Sequence, residues 1–181
     1  VSRTLIAGIG NIFLGDDGFG VEVLQRLGRR PLPDGIGAQD IVAKDYGIGG
    51  IHLAYDLLDG DVDTLIMVDA LPTGEPAGTV SLLEVDEQAM AELADGAGAV
   101  DSHAMNPAAV LAALHTLGGQ PPRVLVVGCQ PLTVQPGIGL SEPVAAAVDA
   151  AVELAIETAL QVHHAAQHAA EEAFRARARP V

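Results

Sequence analysis

Five short runs of apolar and β-branched residues punctuate the chain: Thr4–Ile9, Ile41–Lys44, Thr64–Asp69, Thr79–Val85 and Arg123–Gly128. The first, third and fifth are apolar at nearly every position. That pattern predicts strands buried on both faces, as in a parallel sheet covered by helices. Between the runs the apolar period lengthens to that of a helix. Val21, Val23, Leu24 and Leu27 form one stripe, and Ile51, Leu53, Ala54, Leu57 and Leu58 a second. A third helix is expected from Pro107 to Leu117, with Asn106 as its cap, Pro107 as its first helical residue and Gly118 as its stop. Ser141-Glu142-Pro143 opens a long Ala-rich helix by the same signals.

The order β-α-β-α-β-β-α-β-α predicts an α/β fold. We expect a three-layer α/β/α sandwich around a mostly parallel, twisted, five-stranded sheet. Only Pro72 to Gly78 separates the third and fourth runs, too little for a helical crossover, so the fourth is expected as an antiparallel edge strand. Residues 1–162 are expected to form a single domain. Residues 163–181, rich in Ala, His, Glu and Arg, are expected to be a helical or fraying tail.

Composition narrows the function classes. Of 181 residues, 49 % are hydrophobic and 18 % charged, which fits a globular domain and argues against intrinsic disorder. Aromatics make up only 3 %, so the core must be built from Ala, Val, Leu and Ile. The formal net charge of -15 repels polyanions, which disfavours nucleic acid and anionic membrane surfaces as partners and favours a cation or a basic partner. The lone cysteine, Cys129, fits a reducing compartment. Thr4–Ile9 is too short for a signal sequence and runs straight into a glycine turn. The expectation is a cytoplasmic monomer.

In open parallel sheets, sites form at the carboxyl ends of the strands. The loop after the first strand, Gly8-Ile9-Gly10-Asn11 through Gly15-Asp16-Asp17-Gly18-Phe19-Gly20, invites a dinucleotide reading. Phe13 stands where the third glycine of that fingerprint belongs. Two carboxylates entering the helix would also repel a pyrophosphate. The same turn suits a cation. Asp16 reads as an N-cap or first-turn acid. Asp69 ends a buried apolar strand, where a bare carboxylate is costly and must be paired, hydrogen-bonded or metal-bound. His103 precedes a helix and by itself reads as a surface or capping histidine. Together, Asp17, Asp69 and His103 form a mixed oxygen and nitrogen set that would accept Zn, Ni, Mn or Fe. Two acids also suit an acid/base pair activating water. The spacing fits both uses.

These blocks resemble a known family. Gly8-Ile9-Gly10-Asn11 with Gly15-Asp16-Asp17-Gly18-Phe19-Gly20 is similar to the opening motif of the hydrogenase maturation endopeptidases. Asp45-Tyr46-Gly47, Val68-Asp69-Ala70, Ser102-His103 and Gly128-Cys129-Gln130-Pro131 follow in that family's order. The resemblance implies an endopeptidase that removes the C-terminal extension of a [NiFe] hydrogenase large-subunit precursor after nickel insertion. It implies Asp17, Asp69 and His103 as metal-contacting and catalytic residues, with Asp17 where many members carry Glu, and Asp45 as a further acid. It leaves open an aspartic-type or a metal-dependent label, though no His-Glu-x-x-His helix is present. The site would either hold a resident divalent ion or recognise nickel already carried by the substrate, which would make cleavage conditional on metal loading. The alternative is a non-catalytic metal-sensing or chaperone module binding the same precursor.

Other groups read more simply. Cys129 at a strand end is expected as core filler. His163, His164 and His168 are expected on a solvated helix face, and His52 and His115 as incidental. Gly47, Gly49 and Gly50 are expected to shape a turn.

Overall fold

A computed structural model of the chain describes residues 2–31, 37, 39–85 and 107–177. Strands β1 (Thr4–Ile9), β2 (Ile41–Gly47), β3 (Thr64–Ala70), β4 (Val80–Val85) and β5 (Arg123–Cys129) form one sheet in the order β2-β1-β3-β5-β4. The pairs β1/β2, β1/β3 and β3/β5 are parallel, and β4 pairs antiparallel with β5. The expected strands are all present, within a few residues at their ends. The edge strand joins β5 rather than its sequence neighbour β3, because β5 already occupies the free side of β3. The connection therefore crosses the end of β5, held by Leu71 N–H on the Cys129 carbonyl and Gly78 N–H on the Gln130 carbonyl, both at 2.9 Å.

Helices α1 (Phe19–Leu27), α2 (Gly50–Leu58), α3 (Pro107–Thr116) and α4 (Glu142–Arg177) complete the described elements. Strand alternation divides the core into two layers. Ile6, Ile66, Val68, Leu125 and Val127 face α1 and α4. Leu5, Ala7, Leu65, Met67, Val124 and Val126 face α2 and α3. The three-layer expectation therefore holds. Asn106, the expected cap of α3, lies outside the described residues.

Small residues set how closely the layers approach. Ala147, Ala151, Ala155 and Ala159 recur every fourth position and are buried, so α4 lies tightly on the sheet. At 36 residues, α4 is about 54 Å long and outruns the sheet. It continues unbroken through residues 162 and 163, and burial rather than secondary structure changes there. From His164 to Arg175 only Ala166 is partly covered. No helix among the described residues is long and apolar enough to cross a membrane.

Helix α1 meets the sheet backbone at Gly20. A Cβ there would stand 2.2 Å from the Val68 carbonyl oxygen and 2.3 Å from that of Ile9. Backbone cannot yield as a side chain can, so Gly20→Ala is expected to lower stability by about 1–3 kcal/mol through overpacking. Gly28→Ala is the control. It has φ near -62°, and its Cβ would meet nothing nearer than 3.4 Å. Thermal unfolding of the two variants should separate them, with Gly28→Ala at or above wild type.

Candidate active site

The site grows from the turn that follows β1. Gly10 has φ of +134°, a conformation natural only to glycine. The chain then makes a short 3₁₀ turn over Gly15–Gly18 and enters α1. This folds Asp17 back over the strand end. A Cβ on Gly10 would lie 1.9 Å from the Asp17 carbonyl oxygen and 3.9 Å from Asp69 Oδ1. The Asn11 amide donates to Asp17 Oδ2 at 2.9 Å and closes the loop on itself.

Asp69 arrives from the neighbouring strand, in register with Gly128 of β5. Its side chain is 2 % exposed, and its Oδ1 has no hydrogen-bond partner among the described residues. Burial first, and then the charge of Asp17, drive its carboxyl well above the usual carboxylate range, with the Ala70 amide offsetting only part. Asp17 is also raised, by burial, against the opposing Asn11 bond. Two interacting acids, one of them dry and with one oxygen unpartnered, need a positive partner: a shared proton or a cation. The orphaned oxygen and the all-carboxylate character of the pair fit a divalent ion as well as a proton. Among the described residues no third His, Cys, Asp or Glu joins them. His103, expected as the third member, lies outside the described residues.

Asp16 behaves in the opposite way. The expected helix cap does not form; the carboxylate turns away from α1 toward the loop after β5. It accepts the amides of Leu132 at 2.8 Å, Thr133 at 3.0 Å and Ser141 at 2.6 Å, and the Ser141 hydroxyl at 2.9 Å. Burial pushes its acid up, but the Ser141 and Thr133 amides and the other bonds outweigh it and hold Asp16 below the ordinary value. Ser141, the expected cap of α4, thus commits its hydroxyl to Asp16. Asn11, Asp16 and Ser141 are the supporting residues that sequence reasoning missed. Their only advance signal was the acid pair itself, which does not say which carboxylate faces which loop.

Among the described residues, none of the remaining candidates joins the acid pair in a metal-binding group. Asp45 is exposed and accepts the Gly47 amide of its own turn at 2.9 Å, while the Gly47 carbonyl receives Gly10 N–H at 2.9 Å. That turn buttresses the β1 turn. Cys129 is fully buried, its thiol pushed up to about 11 by burial and then by Asp16, which suits core filler and not a nucleophile. His52 and His115 are exposed on their helices. His164 and His168 are exposed as expected, but His163 is 2 % exposed. It falls four residues after Ala159, on the same buried stripe of α4, and its Nε2 lies 2.8 Å from Gln167 Nε2.

Residues 21–158 match the family model described as hydrogenase maturation protease. Asp69 lies inside that stretch and Asp17 just ahead of it. The chain belongs to the hydrogenase maturation protease family. It is 34 % identical over 149 residues to the hydrogenase 2 maturation protease of Escherichia coli, covering 81 % of this chain and 84 % of that one. The structure of the hydrogenase-maturating endopeptidase HybD from E. coli superposes with a TM-score of 0.69 at 31 % identity, over 88 % of this chain and 93 % of that one. A hydrogenase 2 maturation peptidase from a Thaumarchaeota archaeon superposes with a TM-score of 0.62 at 32 % identity, over 87 % and 97 %.

Two acids of one maturation protease should therefore respond to pH with opposite sign. Asp69 is raised above the ordinary 3.8, so the folded protein holds a proton that the unfolded chain releases. Stability falls as pH rises from that value toward the folded one. In metal-free protein, Asp69→Asn should gain about 1–3 kcal/mol above that range and nothing below it. Melting curves of both proteins from acid to neutral pH check this. Asp16 is lowered, so its contribution is present above 3.8 and lost as pH falls through its folded value. At neutral pH, Asp16→Ala leaves three amides without their acceptor and should cost about 2–4 kcal/mol in denaturant unfolding.

Proposed function

We propose that this maturation protease hydrolyses a peptide bond near the C-terminus of a [NiFe] hydrogenase large-subunit precursor once nickel has been inserted, with Asp17 and Asp69 as the working acids. The observation that carries the reading is the buried Asp69 carboxyl beside Asp17, with Oδ1 unpartnered among the described residues, at the carboxyl edge of the sheet.

The chemistry follows from the difference between the two acids. Asp17 is partly exposed and its anion is stabilised by the Asn11 amide, so it is the one to remain ionised and take a proton from water. Asp69, driven upward, keeps its proton and can donate a hydrogen bond to the scissile carbonyl oxygen as charge develops there. The proton held by Asp17 then passes to the departing amine. A divalent ion held by Asp17, Asp69 and His103 would take the place of the Asp69 proton and polarise that carbonyl as a Lewis acid instead. We assign the ion to the substrate: nickel already in the precursor, so that cutting depends on metal loading. The acid pair is complete within one chain, which supports action as a monomer, and the lone buried cysteine supports a cytoplasmic location.

Nickel-loaded large-subunit precursor is the test substrate, followed by intact mass. Wild type should shorten it, Asp69→Asn should do so at least about 100-fold more slowly, and metal-free precursor should stay uncut. Equal trimming by wild type and Asp69→Asn would sink the assignment. Stable binding of the loaded precursor with no mass loss would favour a metal-sensing or chaperone module instead.

A further inference from the structure

The turn that carries Asp17 belongs to a surface with no part in the chemistry just described. Phe13, Leu132, Val134 and Ile138 are 61, 63, 48 and 83 % exposed, on the loops after β1 and β5. Backbone bonds stitch the two loops together. Gly15 N–H donates to the Gly137 carbonyl and Gly137 N–H to the Phe13 carbonyl, both at 2.9 Å, while Asp16 N–H donates to the Thr133 carbonyl at 3.0 Å. Beneath them the buried Asp16 carboxylate ties down three amides of the second loop. These apolar side chains are thus displayed on a fixed frame.

Charge makes the surface stand out further. Residues 8–15 and 130–141 contain no Asp, Glu, Lys or Arg, in a chain whose net charge is -15. An uncharged apolar strip on an acidic protein suits a neutral, apolar protein surface and offers nothing to a cation or a polyanion. The strip shares a loop with the acid pair: Asn11 donates to Asp17, and Phe13 lies two residues further on. A polypeptide with its bond between Asp17 and Asp69 must leave the site across neighbouring loops.

We propose that Phe13, Leu132, Val134 and Ile138 form the docking surface for the precursor polypeptide, on the β5 side of the acid pair. The inference rests on the proposed function for its partner. Pre-set loops lower the ordering cost of binding, so the surface contributes to affinity and not to the chemical step.

The double substitution Phe13→Ser with Ile138→Ser removes apolar area without adding charge. Made in active protein, it should raise KM for nickel-loaded precursor at least about tenfold, with kcat within about twofold and the melting temperature unchanged. Made in the Asp69→Asn background, it should weaken calorimetric affinity for the same precursor by a similar factor. Unchanged KM and affinity overturn the docking surface while leaving the protease reading intact. Absence of trimming by wild type overturns the protease reading, and the affinity comparison in the Asp69→Asn background still decides the surface: no binding with the strip intact counts against it. A wild type that self-associates in sedimentation, with a monomeric double variant of unchanged KM, assigns the strip to self-association and overturns the proposal.

Discussion

Burying the Asp69 carboxyl is the constraint around which the carboxyl edge of this sheet is organised. The side chain ends a strand apolar at almost every position, with water excluded and Oδ1 without a donor. An ionised carboxylate there carries a desolvation cost that the Ala70 amide offsets only in part. A structural acid would be expected to acquire donors. Asp69 instead faces a second acid, which worsens the cost for any state in which both are charged. The arrangement is stable only with a positive partner, and the function proposed above would use that property to polarise a carbonyl.

Asp16 shows that the same fold can bury a carboxylate comfortably. Three amides and a hydroxyl converge on it, and its acid strength increases as a result. Adjacent residues thus have opposite roles. Asp16 ties the turn after β1 to the loop after β5, and Asp17 on the same turn is left to face Asp69. The rigidity needed to hold two carboxylates against each other comes from the one carboxylate that is fully satisfied.

Much of this was legible in the sequence, for identifiable reasons. Strands buried on both faces leave unbroken apolar runs, so β1, β3 and β5 were read nearly to the residue. The special position of Asp69 followed from the same rule, because a charge at the end of such a run has few structural uses. The partner of β4 was not legible, because short connections usually make hairpins and only the placement of β5 prevents one here. The partners of Asp16 were not legible, because its donors lie 116 to 125 residues further along the chain. His163 was misread because its neighbours His164 and His168 are solvated, whereas its own place is set by the four-residue spacing that begins at Ala147. The part played by His103 rests on the family resemblance, since the residue lies outside the described residues.

The glycine turn after β1 shows why a motif needs its context. Strand, glycine turn and helix is the local geometry that elsewhere cradles a phosphate, where glycines clear room for the oxygens of a ligand. Here Gly10 clears room for the chain itself, since the Asp17 carbonyl occupies the space a Cβ would need. Gly20 does the same for the sheet backbone beneath α1. The Asn11 amide, a donor of the kind that would meet a phosphate oxygen, meets the Asp17 carboxylate. The turn therefore already contains its anion, covalently attached and held by the donor an external anion would have used. What such a turn can still attract is positive: the proton that Asp69 retains, or a metal ion.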